Sequence, residues 1–288
     1  MLLARLQTMI FLSQLLCTLS PALVTAAETE AERIEINTAL MRSTFKIAGP
    51  KSLGTVFLIG RPITGDDKNS FIVLVTAAHV LRDIPGEQAL LFLRKKQGPD
   101  FIKLPYTVQI RKAGKALWKE HPKADIAVMY VRIPKEADIQ VVPMSFLADD
   151  DVLEKYEIHP GDVLSALGYP YGAEANEAGF PILRSGQIAS YPLMPTRKVQ
   201  SFLLDFRVFG GNSGGPVYFA APNRTVGTKI IMGNISFLAG LVSQETLVEE
   251  EIQSLTESRR VKYPLSLAVV IHASLIRESI NLLPERPD

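Results

Sequence analysis

At 288 residues, with 47% apolar side chains, the chain is long enough to bury a sizeable core, and disorder is excluded as its dominant state. Charged residues make up 21%, and 31 basic side chains stand against 30 acidic ones. No chain-wide field favours nucleic acid or an anionic membrane, so partners are to be sought through a local site.

Arg5 precedes a mostly apolar run from Met9 to Cys17, and Pro21 breaks the pattern before the small residues Val24, Thr25 and Ala26. This order predicts a signal peptide over 1–26 and export to a periplasmic or extracellular space. The run is interrupted at Ser13 and Gln14 and falls short of the roughly 20 residues a membrane span needs, so no stable span is expected after cleavage. Cleavage removes one charge, Arg5, and takes the net charge from +1 to zero. Cys17 is the only cysteine and sits inside this segment, so the mature protein is expected to hold no disulfide. Gln14, Leu15 and Leu16 lack the small residues that precede a lipidated cysteine. A polar stretch follows and is read as an N-terminal arm over 27–44.

From there the pattern is a series of short apolar runs rich in β-branched and aromatic residues, separated by turn chemistry. Strands are predicted at 55–59 and 71–75, joined as a hairpin through the turn-rich 65–69, and then at 89–93, 106–110, 126–131, 163–167, 187–191 and 202–206. Four more are predicted at 216–219, 229–232, 238–242 and 267–271. About a dozen short strands without helical period point to closed β-barrels, since closure removes edges that would otherwise seek partners. Ala273, Ile276, Ile280 and Leu283 recur at helical spacing before Pro284 and predict a docked C-terminal helix. The charged segment 244–263, with Glu249 to Glu251 and Arg259–Arg260, shows no strand period and is read as a solvated surface loop.

Three segments carry candidate chemistry. Gly211, Asn212, Ser213, Gly214 and Gly215 place a serine in backbone able to turn tightly and to admit a substrate closely; the alternative for this stretch alone is a plain β-turn. His79 ends an apolar strand in a small-residue turn. Asp125 opens another apolar strand, where a carboxylate needs a partner to offset its desolvation. Jointly the order is His, Asp, Ser, at separations of 46 and 88 residues, one of the chain orders known for this catalytic constellation.

These segments resemble the trypsin/chymotrypsin family, especially its disulfide-free bacterial branch of HtrA-like proteases and glutamyl endopeptidases. Gly54 to Phe57, Ala166 to Pro170 and Arg184 to Ser190 add further similarity, so that it covers most of the chain from about residue 45. The resemblance implies an all-β fold of two antiparallel six-stranded β-barrels with a C-terminal α-helix, over 45–285 with a boundary near 140–160, and no following PDZ-type domain. It implies a serine endopeptidase acting on polypeptides without cofactor or metal: Ser213 the nucleophile, His79 the general base, Asp125 its orienting carboxylate. Backbone N–H groups of Gly211 and Ser213 would form the oxyanion hole, and Ser243 would hydrogen-bond Asp125. Asn212 replaces the aspartate that digestive members pair with a new N-terminus, so activation through a buried terminal ammonium is not expected.

Arg207, Val208, Phe209 and Ser243 resemble the segments lining the specificity pocket. An inward Arg207 would favour an acidic substrate residue; inward Val208 and Phe209 would favour a small or aliphatic one. A catalytically silent peptide-binding protein of the same fold, or an esterase or acyl-transfer enzyme using the same residues, remains an alternative. His121 and His272 lack neighbours at metal-ligand spacing, His159 precedes Pro160 and Gly161 in a turn and is assigned no role, no phosphate-binding glycine loop is present, and oligomeric state is not legible.

Overall fold

The computed structural model describes residues 35–253 and 258–287; the predicted signal peptide, Cys17 and the first part of the predicted arm lie outside them. The rest of that arm is not a free polar tail. Helix α1 (Ile36–Ser43) buries Ile36, Ala39 and Leu40 on one face, the spacing of an amphipathic helix. The carboxylate of Glu35 accepts from the backbone N–H groups of Asn37 (3.0 Å) and Thr38 (2.7 Å), two of the donors a helix start leaves orphaned.

The first half of the body contains β1 (Thr44–Ala48), β2 (Leu53–Ile63), β3 (Asp66–Thr76), a one-turn helix α2 (Ala78–Arg82), β4 (Gln88–Gln97) and β5 (Asp100–Gln109). Short strands β6 (Arg111–Lys112), β7 (Lys115–Ala116), β8 (Lys119–Glu120), β9 (Ala127–Tyr130) and β10 (Val142–Pro143) complete it. The predicted hairpin is β2 and β3, with Phe57 opposite Val75, Leu58 opposite Leu74 and Ile59 opposite Val73. All six side chains are fully buried. The sheet has eight strands: seven in the order β5-β4-β1-β2-β3-β9-β8, and β10 beside β2 in a parallel pair.

The second half carries helix α3 (Asp150–Lys155), then β11 (Val163–Gly168), β12 (Ile182–Ile188), β13 (Ser201–Asp205), β14 (Pro216–Val226), β15 (Lys229–Gln253) and β16 (Ser258–His272). These six strands close into a barrel in the order β11-β12-β13-β16-β15-β14. The all-β architecture with its C-terminal helix therefore holds; of the two six-stranded barrels expected, the second closes with six strands and the first is an eight-stranded sheet. The first runs as a path from β5 to β8, and its edges are blunted by charge: β8 is only Lys119–Glu120, and β5 carries Asp100 and Lys103.

Two apolar cores form. One fills the barrel around Leu164, Phe202, Leu204, Val217 and Val270. The other lies under the first sheet and extends into helix α4 (Ala273–Asn281), taking in Leu275, Ile276 and Ile280. The C-terminal helix thus closes the core of the half to which it does not belong in sequence.

The reading of 244–263 as a loop is corrected: its described residues are strand, the outer parts of β15 and β16 paired antiparallel, with Glu249 opposite Lys262 and Glu251 opposite Arg260. Lys262 and Glu249 form an ion pair at 2.8 Å. This ribbon is largely exposed on both faces, so it has no buried side to impose apolar alternation, and opposite charges across the strands replace it.

Candidate active site

The serine loop between β13 and β14 consists of two successive β-turns. Asn212 N–H donates to the Phe209 carbonyl and Gly215 N–H to the Asn212 carbonyl, each at 3.0 Å. The third residue of each turn is a glycine with positive φ, Gly211 at 97° and Gly214 at 84°, the signature of type II turns. Space imposes the same choice. A Cβ on Gly211 would overlap the Tyr169 carbonyl oxygen, and one on Gly214 would overlap the Thr55 carbonyl and the Thr76 hydroxyl.

Both halves hold this loop. From the first sheet, Thr55 N–H donates to the Ser213 carbonyl (2.9 Å) and Thr55 Oγ1 to the Gly211 carbonyl (2.6 Å). From the barrel, Gly214 N–H donates to the Val242 carbonyl (2.7 Å), and Val242 N–H donates back to Gly215 (2.9 Å). The Gly210 carbonyl accepts from Tyr171 N–H at 2.6 Å. Because a trans peptide points its N–H opposite its carbonyl, the Gly211 N–H is turned away from Tyr171. Among the described residues, neither it nor the Ser213 N–H has an acceptor.

His79 stands on α2, where the buried Ala77 and Ala78 let the chain turn tightly out of β3. Asp125 stands in the connection that enters β9. Its Oδ1 accepts from the His79 backbone N–H (3.0 Å), its Oδ2 lies 2.6 Å from His79 Nδ1, and Ser243 Oγ donates to Oδ2 at 2.8 Å. A second tie runs from Ala78 N–H to the Asp125 carbonyl at 3.3 Å. Burial pushes the Asp125 pKa up, but the hydrogen bonds and charge of His79 and the bond from Ser243 outweigh it and hold the carboxyl at about 2. Asp125 is therefore ionised and can only accept, so His79 Nδ1 carries a proton towards it, and in the neutral imidazole the lone pair is on Nε2. Among the described residues, no hydrogen bond joins Ser213 Oγ to His79 in this conformation; such contacts commonly tighten only with substrate bound.

His79, Asp125, Ser213 and Ser243 line one open cleft of about 640 Å³. Of the expected pocket residues, Val208 and Phe209 line it too, with Val208 buried and Phe209 against the Tyr171 ring at 5.2 Å. Arg207 is not in the lining: it is exposed, with its guanidinium over the Phe209 ring at 5.1 Å. Arg82, Tyr171, Gln244 and Glu245 line the cleft and were not anticipated. Gln244 and Glu245 fell inside the segment read as a loop, and Arg82 and Tyr171 carry no motif of their own. Arg82 reaches Asp125 Oδ1 at 3.4 Å, but more than half exposed it adds little.

The other histidines lie elsewhere. His121 is buried against Glu278 (3.3 Å), His159 is exposed in a turn, and His272 is buried beside Phe202. Among the described residues, no group of three or more His, Cys, Asp and Glu side chains could hold a metal ion, and no helix is long and apolar enough to cross a membrane.

Residues 54–227 match the family described as the trypsin-like peptidase domain, more than half of the chain, and the protein belongs to this family. Comparison with curated proteins gives no match. Among solved structures, the chain is similar to the protease Anisep of Arthrobacter nicotinovorans, at 13% identity and a TM-score of 0.45, over 84% of this chain and 95% of that one. It is similar to an inactive mutant form of Rv3671c from M. tuberculosis H37Rv, at 15% and 0.43, over 86% and 89%. A third is the thermostable serine protease AL20 from an extremophilic microorganism, at 13% and 0.45, over 84% and 97%.

Proposed function

We propose that this protein is a bacterial serine endopeptidase, exported to the periplasm or secreted, that cleaves polypeptides through an acyl-enzyme on Ser213. The observation that carries the reading is the two-point grip of Asp125 on His79, through the backbone N–H and Nδ1, in the cleft that also holds Ser213. It leaves Nε2 as the one ring nitrogen able to take a proton.

In the first step Ser213 Oγ attacks the substrate carbonyl carbon while its proton passes to His79 Nε2. The carbonyl oxygen becomes an oxyanion, and the acceptorless N–H groups of Gly211 and Ser213 supply its hydrogen bonds. Asp125 stabilises the imidazolium. His79 then gives its proton to the departing amine as the C–N bond breaks, and the ester to Ser213 remains. Water repeats the sequence and releases the acid. Export rests on the sequence of residues 1–26.

The test is labelling with a serine-directed fluorophosphonate beside a peptide-cleavage assay. Wild type should be labelled and should cleave, whereas Ser213→Ala should lose the label and at least about 10³-fold in kcat/KM. Unlabelled wild type would refute the nucleophile assignment. Label without peptide cleavage would point to acyl transfer on smaller esters.

A further inference from the structure

Tyr171 has a left-handed backbone, with φ at 51°, although it is not a glycine. Residues with a side chain hold this conformation only where their surroundings enforce it. Its N–H meets the Gly210 carbonyl at 2.6 Å and so sets which way the Gly210–Gly211 peptide faces. The strain therefore sits on the bond that leaves the Gly211 N–H free, and the turn around Tyr171 needs an anchor.

Local bonds close the turn, from Gly172 N–H to the Tyr169 carbonyl (2.8 Å) and from Ala173 N–H to the Pro170 carbonyl (2.9 Å). Its flanks are fastened to the first sheet. Tyr169 is fully buried, with its hydroxyl 3.0 Å from the Gly179 carbonyl, 3.2 Å from that of Thr44 and 3.4 Å from Arg94 Nη1. Arg94, on β4, is fully buried too, and donates to the carbonyls of Met41 (2.9 Å), Thr44 (3.0 Å) and Gly179 (3.0 Å). Its guanidinium also lies over the rings of Phe45 and Phe180, at 4.3 and 4.2 Å. Among the described residues no carboxylate pairs with it, and a guanidinium taken out of water without a counter-ion is a costly way to fill a core. What it achieves is to join α1 and β1 to both ends of the 169–179 segment. Lys46 on β1 and Lys103 on β5 add a second hold by pairing with Glu174.

We propose that Arg94 is a positioning residue for the oxyanion hole: it clamps Tyr169 and Gly179 to the first sheet, and so holds the Tyr171 turn that keeps the Gly211 N–H free. The inference rests on the endopeptidase reading. Neither Arg94 nor Tyr169 lines the cleft, so contacts to the uncleaved substrate should be spared when they change. In Arg94→Met, kcat on a cleaved peptide should fall about 10²-fold, as for a lost hole donor. Affinity for the matching peptide aldehyde, whose adduct with Ser213 places an oxygen in the hole, should fall by a similar factor. Binding of the uncleaved peptide in a Ser213→Ala background should change less than about twofold, and Arg94→Lys should recover part of the kcat. Equal losses in aldehyde and peptide binding, or an unchanged kcat, would overturn the proposal. Should Arg94→Met fail to fold, Tyr169→Phe decides, since it loses one hydroxyl alone. A kcat about 10-fold lower with peptide binding intact supports the role, and an unchanged kcat overturns it. Wild type that fluorophosphonate does not label would overturn both the endopeptidase reading and this role, whereas null results in a labelled protein remove only the role of Arg94.

Discussion

Asp125 accepts within the site from the His79 backbone, the His79 ring and Ser243. Replacing it with asparagine keeps the shape but places an amide where an acceptor for Nδ1–H is needed, so the wrong imidazole tautomer is favoured. Steady-state assays of Asp125→Asn should show kcat lower by about 10⁴-fold, with the protein still folded. The low carboxyl pKa also fixes a sign. The folded value, about 2, lies below the free value of 3.8, so the stabilisation is complete above pH 3.8 and is lost as pH falls through 2. Denaturant titrations should show wild type losing stability across that window more steeply than Asp125→Asn. His79, Asp125 and Ser213 were legible in the sequence because each interrupts an apolar or glycine-rich stretch with a chemical group. Glu245, in the cleft lining, was not, because it fell inside the segment read as a solvated loop.

At the scale of elements, most strands were legible as β-branched runs because each has a buried face. The charged ribbon of β15 and β16 escaped because it lacks one, whereas β1 escaped although Phe45 and Ile47 are fully buried. Helix α1 escaped for a different reason: eight residues hold too few turns for its period to stand out beside the polar stretch before it. The junction of β16 with α4 carries a further consequence of burial. Desolvation lowers the pKa of His272 to about 4 against an ordinary 6.5, and the charge of Asp150 offsets only part of this. The unfolded chain therefore takes up the proton first as pH falls. Stability is full above pH 6.5 and declines as pH falls towards 4, by up to about 3 kcal/mol. Urea unfolding at pH 7, 5 and 4 should show this slope in wild type and lose it in His272→Phe, whose ring can still pack on Phe202.

Across the whole molecule, the two halves meet at the serine loop and at α4. Thr55 of the first sheet and Val242 of the barrel both hold the backbone around Ser213, and Ile276 is fully buried in the core under the first sheet. Ile276→Ala should cost about 2–5 kcal/mol. Fluorophosphonate reactivity and tryptophan fluorescence from Trp118, in the first half, should then be lost in one denaturant transition. Separate transitions would show that the halves unfold independently.

Asn212 lies buried behind the serine, its side-chain nitrogen without a partner among the described residues. A neutral amide there has no use for a charge created by cutting the chain elsewhere. On the proposed function, no new N-terminus is needed to complete the serine loop. What the enzyme first meets is then set by the compartment in which it folds.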